Sequence, residues 1–318
     1  MSGLRVASLF SGIGLIDHGL SLAGIPTGLL CESDKACRRV LAHHHPDTPI
    51  HDDVRTLTGD DLRAAGLTPG RTVLAGGFPC QDLSVAGRRA GMGRGTRSGL
   101  YWQIVRLLGE FPARWVVLEN VLGLLSSHGG RDMGAVIGSL ADLGYGYAWR
   151  VLDAQYAGVP QRRRRIVIVG HLGTPWSAPA QVLLEPDSGG RHPAALGGSG
   201  AGTAGRAAGG AGSRRVAAAL AAHHGRNNAD TTANLVADTL TSGRKSGGQG
   251  IMTTTGVRRL TPMECERLQG APDGWTAVGR QKDSPRYRQL GNAVAVPVFR
   301  WVGQRLVAID AAMREVAA

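Results

Sequence analysis

The sequence predicts an α/β protein: a mostly parallel sheet covered by helices on both faces, with a small irregular second domain. Three observations predict it. Short runs rich in Val, Ile and Leu alternate with helical patterns through the first half of the chain. Those runs are continuously apolar, as strands buried on both faces are. The alternation then stops after Gly170, and a stretch dominated by Gly, Ala and Ser follows from 186 to 214.

Taken in order, "RVASLF" reads as a strand and "LIDHGLSLAG" as a helix closed by Gly24. "TGLLCE" is a strand, "DKACRRVLAHHH" a helix, and "IHDDV" a short strand. "RTVLAGG" and "RWVVLEN" are strands separated by the helix "GLYWQIVRLLGEF". "DMGAVIGSLADLG" is a helix, and "YAWRVLDA" and "RRIVIVG" are strands. Strand–helix alternation of this kind builds a doubly covered parallel sheet. Past the polar middle, "TPMECERLQG" opens with a Thr cap, a Pro in the first turn and Glu264 three residues after Thr261, the pattern of a capping box. "GNAVAVPVFRWVGQRLVAIDAAM" reads as one long helix with Pro297 early in it. Residues 1–171 and 286–318 are expected to form one domain, and 172–285 the second, with a Gly-rich linker at 186–214.

Lys and Arg number 36 against 24 for Asp and Glu, a net charge of +12. Such an excess suits a polyanionic partner, nucleic acid or an anionic membrane. No stretch approaches the roughly 20 apolar residues of a membrane span, and "MSGLRVASLFSGIG" lacks the apolar core of a signal peptide. A cytoplasmic protein is expected, with no membrane partner. The four cysteines, Cys31, Cys37, Cys80 and Cys265, form no Cys-x-x-Cys pair, which fits a reducing compartment. His43, His44 and His45 read as a solvated helix end, and no metal is expected.

In open α/β sheets ligands bind beyond the carboxyl ends of the strands. The strand ends here carry Phe10, Gly12 and Gly14; then Glu32; then Asp52 and Asp53; then Gly76-Gly77-Phe78-Pro79-Cys80; then Glu119-Asn120. One rim gathers them all. Glycines after the first strand and a carboxylate closing the second suit a nucleoside-type cofactor. The third glycine of a dinucleotide fingerprint is replaced by Asp17. An adenosyl cofactor without phosphates therefore fits better than NAD. Cys80 stands where an exposed nucleophile would stand, followed by "AGRRAGMGRGTRSG", a Gly-rich loop with Arg88, Arg89, Arg94 and Arg97. Glu119, at the end of an apolar strand, is placed to hold or donate a proton. In "GVPQRRRRIVIVG", strand periodicity puts Arg163 and Arg165 on one face and Arg162 and Arg164 on the other.

Together these motifs resemble the DNA (cytosine-5)-methyltransferases of bacteria and phage. The resemblance rests on "LFSGIG", "CESD", "DDV", "GGFPCQDLS", "SGLYWQIVRLL", "LENV", "QRRRRIVIVG", "RRLTPMECERLQGAPDGW" and "QLGNAV", in that order. It spans nearly the whole chain outside 172–256. It implies a Rossmann-like S-adenosylmethionine-dependent methyltransferase fold and S-adenosylmethionine as cofactor. Phe10, Gly12, Gly14, Pro79, Leu100, Asn292 and Val294 would line it, Glu32 would hold its ribose, and Asp53 and Val54 its adenine. The family often has an aromatic residue where this chain has Ser33, and some members a polar residue where it has Ala86.

The resemblance implies that Cys80 attacks carbon 6 of a flipped-out cytosine, with Glu119, Arg163 and Arg165 completing the catalytic set. The second domain would read DNA. Ser84, Arg88, Arg89, Arg226, Asn227, Asn228, Thr239, Leu240, Arg244 and Lys245 are candidates for contact with double-stranded DNA. A monomer with a cognate restriction endonuclease as partner is the corresponding expectation. Three other readings compete: a tRNA-methylating enzyme of the same fold, a non-catalytic cofactor-binding DNA protein, and an NAD-linked oxidoreductase. "CQD" favours DNA over tRNA, the intact catalytic set opposes the second, and Asp17 opposes the third. Asp82 has no assigned role.

Overall fold

The computed structural model describes residues 3–79, 99–185, 250–253 and 256–317. Strands β1 (Arg5–Leu9), β2 (Thr27–Cys31), β3 (Ile50–His51), β4 (Thr72–Gly77), β5 (Trp115–Asn120), β6 (Tyr145–Asp153) and β7 (Arg164–Leu172) form one sheet in the order β3-β2-β1-β4-β5-β7-β6. The pairs among β1 to β5 are all parallel, whereas β7 runs antiparallel to both β5 and β6. The mostly parallel, doubly covered sheet is the expected one. The sequence does not reveal the reversal of β7, because an apolar strand reads the same in either direction.

Two apolar layers cover the sheet. On one face lie α1 (Leu15–Leu22), α7 (Ser177–Leu183) and α10 (Val296–Ala317), with Leu20, Val182, Phe299 and Val302 buried against Val6, Val73, Trp115 and Val167. The other face is covered by α3 (Gly59–Ala64), α4 (Gly99–Glu110) and α6 (Arg131–Asp142). Helix α2 (Lys35–His44) follows β2 and starts on Asp34, whose carboxylate accepts from the amides of Ala36 and Cys37. Helix α5 (Gly123–Ser126) is a single turn after β5.

Helices α8 (Pro262–Leu268) and α9 (Asp283–Asn292) precede α10, and a short antiparallel hairpin, β8 (Gly250–Thr253) with β9 (Gly256–Arg259), precedes α8. The expected capping box opens α8: Thr261 Oγ1 accepts from the Glu264 amide, and Glu264 Oε2 accepts from the Thr261 amide at 2.7 Å.

Two boundaries differ from expectation. The last helix does not begin at Gly291. Helix α9 ends at Asn292, Ala293 is extended, and α10 starts at Val296, with its amide donated to the Gln269 carbonyl at 2.8 Å. Proline thus sits in the first turn, where its missing N–H costs nothing. The stretch assigned to the second domain, 172–285, is also packed differently at its described ends. Ala178, Val182, Leu260, Cys265, Leu268, Ala271 and Trp275 all join the core of the sheet. Polar spacing between these apolar residues hides their burial from a sequence reading.

Candidate active site

The strand order reverses direction between β1 and β4, which makes the crevice beyond their carboxyl ends the expected ligand site. The two strands are closely apposed there. A side chain at Gly76 would place its Cβ 2.2 Å from the Leu9 carbonyl oxygen, so only glycine fits.

On the β1–β2–β3 side the chain leaves β1 through Phe10 (φ 53), Gly12 (φ 56) and Gly14 (φ 78), three residues with left-handed backbone. For Phe10 that conformation is strained, and strain of this kind marks ligand-binding turns. Glu32, directly after β2, fixes the turn: its Oε2 accepts from the Gly12 amide and its Oε1 from the Asp34 amide, both at 2.7 Å. Beneath it, Ser11 Oγ bridges to Ser8 Oγ at 2.8 Å, and Ser8 Oγ donates to Asp17 Oδ2 at 3.0 Å. Burial pushes the Asp17 carboxyl up to about 7, and its other oxygen, Oδ1, is buried with no hydrogen bond. Asp53 holds Arg55 in an ion pair at 2.6 Å, and this hydrogen bonding keeps its carboxyl below the usual range. Val54 is buried, and Ser33 is exposed, with its carbonyl accepting from Arg38.

On the β4–β5–β7 side the rim is built around Glu119. It is buried, and burial raises its carboxyl, with Arg165 and then Arg163 pulling it partly back. Arg165 Nε lies 2.9 Å from Glu119 Oε1. Strand periodicity works as read: Arg163 is buried and Arg165 half-buried, while Arg162 and Arg164 are exposed. The two inner arginines point to different partners, however. Arg163 donates to the carbonyls of Gly291, at 3.0 Å, and Ala293. It therefore clamps the α9–α10 junction that carries Asn292 and Val294. Burial lowers its guanidinium to about 9.

Asn120 completes the geometry. Its Nδ2 donates to the Phe78 carbonyl at 3.0 Å and its Oδ1 accepts from the Val121 amide at 2.8 Å. The end of β5 thereby holds the backbone of Phe78-Pro79, the last described residues before Cys80. Phe78 itself is buried against Tyr101, ring centroids 4.9 Å apart. Leu100 is half-buried one residue away from that tyrosine. Cys80, Asp82, Ser84, Ala86, Arg88, Arg89, Arg94, Arg97, Arg226, Asn227, Asn228, Thr239, Leu240, Arg244 and Lys245 lie outside the described residues.

Two contributors carry no local sequence signal. Asn120 closes an apolar strand and is indistinguishable by composition from an ordinary strand-end residue. The histidine run is not a solvated end: His44 stacks on Trp275 at 3.7 Å, and only His43 is exposed. Among the described residues no group of three or more His, Cys, Asp or Glu is placed to hold a metal ion. No helix among them is long and apolar enough to cross a membrane.

A family profile, C-5 cytosine-specific DNA methylase, matches residues 4–186 and 207–308. The chain belongs to that family. It is 33% identical to the type II methyltransferase M2.BsuMI of Bacillus subtilis over 324 residues, covering 95% of this chain and 75% of that one. It is 28% identical to the type II methyltransferase M.Bsp6I of a Bacillus species, over 95% of this chain and 98% of that one. Among solved structures it resembles a putative DNA modification methyltransferase encoded within an Escherichia coli prophage, with a TM-score of 0.65 at 20% identity over 96% of this chain. That likeness is one of fold.

As a member of this family the chain is a DNA cytosine-5-methyltransferase with S-adenosylmethionine as methyl donor. The β1–β2–β3 side fits such a group. Around the open turn at Gly12, where a Cβ would meet nothing within 4 Å, the carboxylates Glu32, Asp52 and Asp53 outnumber the cations Arg38 and Arg55. The fields of Glu32, Asp53 and Asp52 add to burial in pushing the Cys31 thiol up to about 12. An acidic surround repels pyrophosphate and suits a cationic sulfonium.

Proposed function

We propose that the chain methylates carbon 5 of a cytosine flipped out of a specific double-stranded DNA sequence, through a covalent adduct with Cys80. The observation that carries this reading is the buried Glu119–Arg165 pair on the same rim as Asn120, which grips the backbone leading into Cys80. Phe10, Gly12, Gly14, Glu32, Asp53, Val54, Pro79, Leu100, Asn292 and Val294 hold the donor. When bound, S-adenosylmethionine supplies an electrophilic methyl group.

A cytosine inside a duplex is unreachable, so it is extruded at a cost of a few kcal/mol. The Cys80 thiolate then adds to carbon 6; the electron pair of the 5,6 double bond shifts to the 4,5 bond as the pair of the 3,4 bond moves onto N3, which takes the Glu119 proton. Glu119, whose carboxyl burial raises, donates to ring N3 and accepts from the exocyclic amine. Arg165 holds Glu119 in place, and Arg163 holds the α9–α10 junction beside it. Carbon 5, now nucleophilic, takes the methyl group, and the sulfur of the donor keeps the bonding pair as a neutral thioether. A base removes the carbon-5 proton, the cysteine leaves as thiolate and the double bond is restored, so a difficult step has been divided into easier ones.

Sequence reading falls to the stretch between α7 and α8, with Ser84, Arg88 and Arg89 in the loop after the nucleophile. Arg226, Asn227, Asn228, Thr239, Leu240, Arg244 and Lys245 supply base and phosphate contacts. That its Bacillus relatives are named type II methyltransferases supports a restriction–modification setting with a cognate endonuclease. The test is transfer of labelled methyl from S-adenosylmethionine to duplex DNA or to tRNA, by the wild type and by Cys80→Ala. Label in DNA with the wild type and none with the variant, at unchanged DNA affinity, is the expected result. Label in tRNA alone overturns the reading. DNA affinity is also expected to fall steeply with salt, because phosphate contacts release counterions.

A further inference from the structure

Behind the glycine turn, histidines from two helices close around one tryptophan. Trp275, in the loop after α8, is buried. The His44 ring lies flat on it, centroids 3.7 Å apart with 6° between planes, and the His18 ring tilts against it at 4.7 Å. The Trp275 carbonyl accepts from His44 Nε2 at 2.8 Å, so His44 carries a proton on that nitrogen. The indole Nε1 in turn donates to the Ile13 carbonyl at 2.8 Å. Ile13 stands between Gly12 and Gly14, both in left-handed conformation.

The turn is therefore held at two adjacent points. Glu32 takes the Gly12 amide, and Trp275 takes the Ile13 carbonyl. Without the indole that buried carbonyl has lost its donor, and a left-handed turn has lost the contact that sets its orientation. The same loop reaches the catalytic half. Gln161 donates to the Leu268 carbonyl and Gln269 to the Leu290 carbonyl, at 2.8 and 2.9 Å.

We infer, resting on the placement of the methyl donor at this turn, that Trp275 is a positioning residue for donor binding, oriented by its stack and hydrogen bond with His44. It does not touch the reacting atoms; it acts through Ile13 on the shape of the donor's cradle.

The test compares Trp275→Phe, which keeps an aromatic ring for the stack but removes the N–H together with the five-membered part of the indole, with Glu32→Ala and the wild type. The expected result is a rise of about five- to tenfold in the KM and Kd for S-adenosylmethionine. The kcat at saturating donor and the DNA affinity should change little, while the urea unfolding midpoint falls modestly with the protein still folded. A folded Trp275→Phe with unchanged donor affinity overturns the inference, as does a fall in kcat at unchanged KM. Should Glu32→Ala also leave donor affinity untouched, the donor does not bind at this turn and the underlying reading fails first. A weakened Glu32→Ala beside an unaffected Trp275→Phe sinks this inference alone. If Trp275→Phe does not fold, His44→Phe decides: it keeps a stacked ring, removes the N–H given to the Trp275 carbonyl, and is expected to raise the donor KM in the same direction.

Discussion

Arg165 Nε and Glu119 Oε1 stand 2.9 Å apart, and both side chains are largely withdrawn from solvent. Removing one member of a buried pair strands the other charge, at a cost of about 3–5 kcal/mol. Arg165→Met is therefore expected to be strongly destabilised, and Arg165→Met with Glu119→Gln to recover part of the loss. The pH dependence has a definite sign. Burial raises the Glu119 carboxyl and Arg165 lowers it, so the variant's carboxyl stands higher still. Stability from a raised carboxyl is lost as pH rises through its folded pKa. The deficit of Arg165→Met should grow as pH rises above the ordinary carboxylate range, as urea titrations would measure.

Gly77 guards the same carboxylate from the neighbouring strand. A Cβ there would stand 2.8 Å from Glu119 Oε2. Gly77→Ala should displace the carboxylate and lower kcat by about 10- to 100-fold, since misplacement of even 1 Å is costly. Filter binding should find DNA affinity unchanged.

The described cysteines, Cys31, Cys37 and Cys265, are all buried. Burial pushes each thiol up to about 12. Iodoacetamide at neutral pH should therefore modify Cys80 alone and abolish methylation. Intact-mass spectrometry should find one adduct per folded chain and none in Cys80→Ser. Modification of Cys31 at a comparable rate would sink the assignment.

Asp17 offers a stability test independent of catalysis. Its carboxyl is raised from 3.8 to about 7, chiefly by burial. The stability it contributes is present below 3.8 and is lost as pH climbs through the folded value. Asp17→Asn keeps an oxygen for the Ser8 hydroxyl and does not titrate. Between pH 5 and pH 8 the wild type should lose on the order of 2 kcal/mol relative to this variant in denaturant titrations.

Much of the fold was legible because its signals are local. β-branched runs, Gly24 after α1 and the Thr261–Glu264 box each announce themselves within a few residues. The rim was legible for the same reason: strand ends can be read in order, and a parallel sheet collects them. What escaped was set by partners far along the chain. Nothing near Arg163 reveals that it reaches the carbonyl of Gly291. Nothing in "HHH" announces a stack on Trp275, 231 residues away. The direction of β7 escaped because apolar content is blind to polarity of the chain. The α9–α10 break escaped because Ala293, Val294 and Ala295 suit a helix as well as an extended link.

The pairing of β6 with β7 sets Leu152 opposite Arg165 and Asp153 opposite Arg164. In a strand, neighbouring side chains face opposite ways, so a shift of one position turns every one of them over. The "RRRR" run therefore buffers a slip of phase: with four arginines in a row, loss of one still leaves an arginine immediately before Ile166, beside Glu119, and another two positions earlier. A one-residue deletion within the run should thus be milder than exchange of Arg165 itself, while exchanges at the exposed Arg162 and Arg164 pass with little effect on the core.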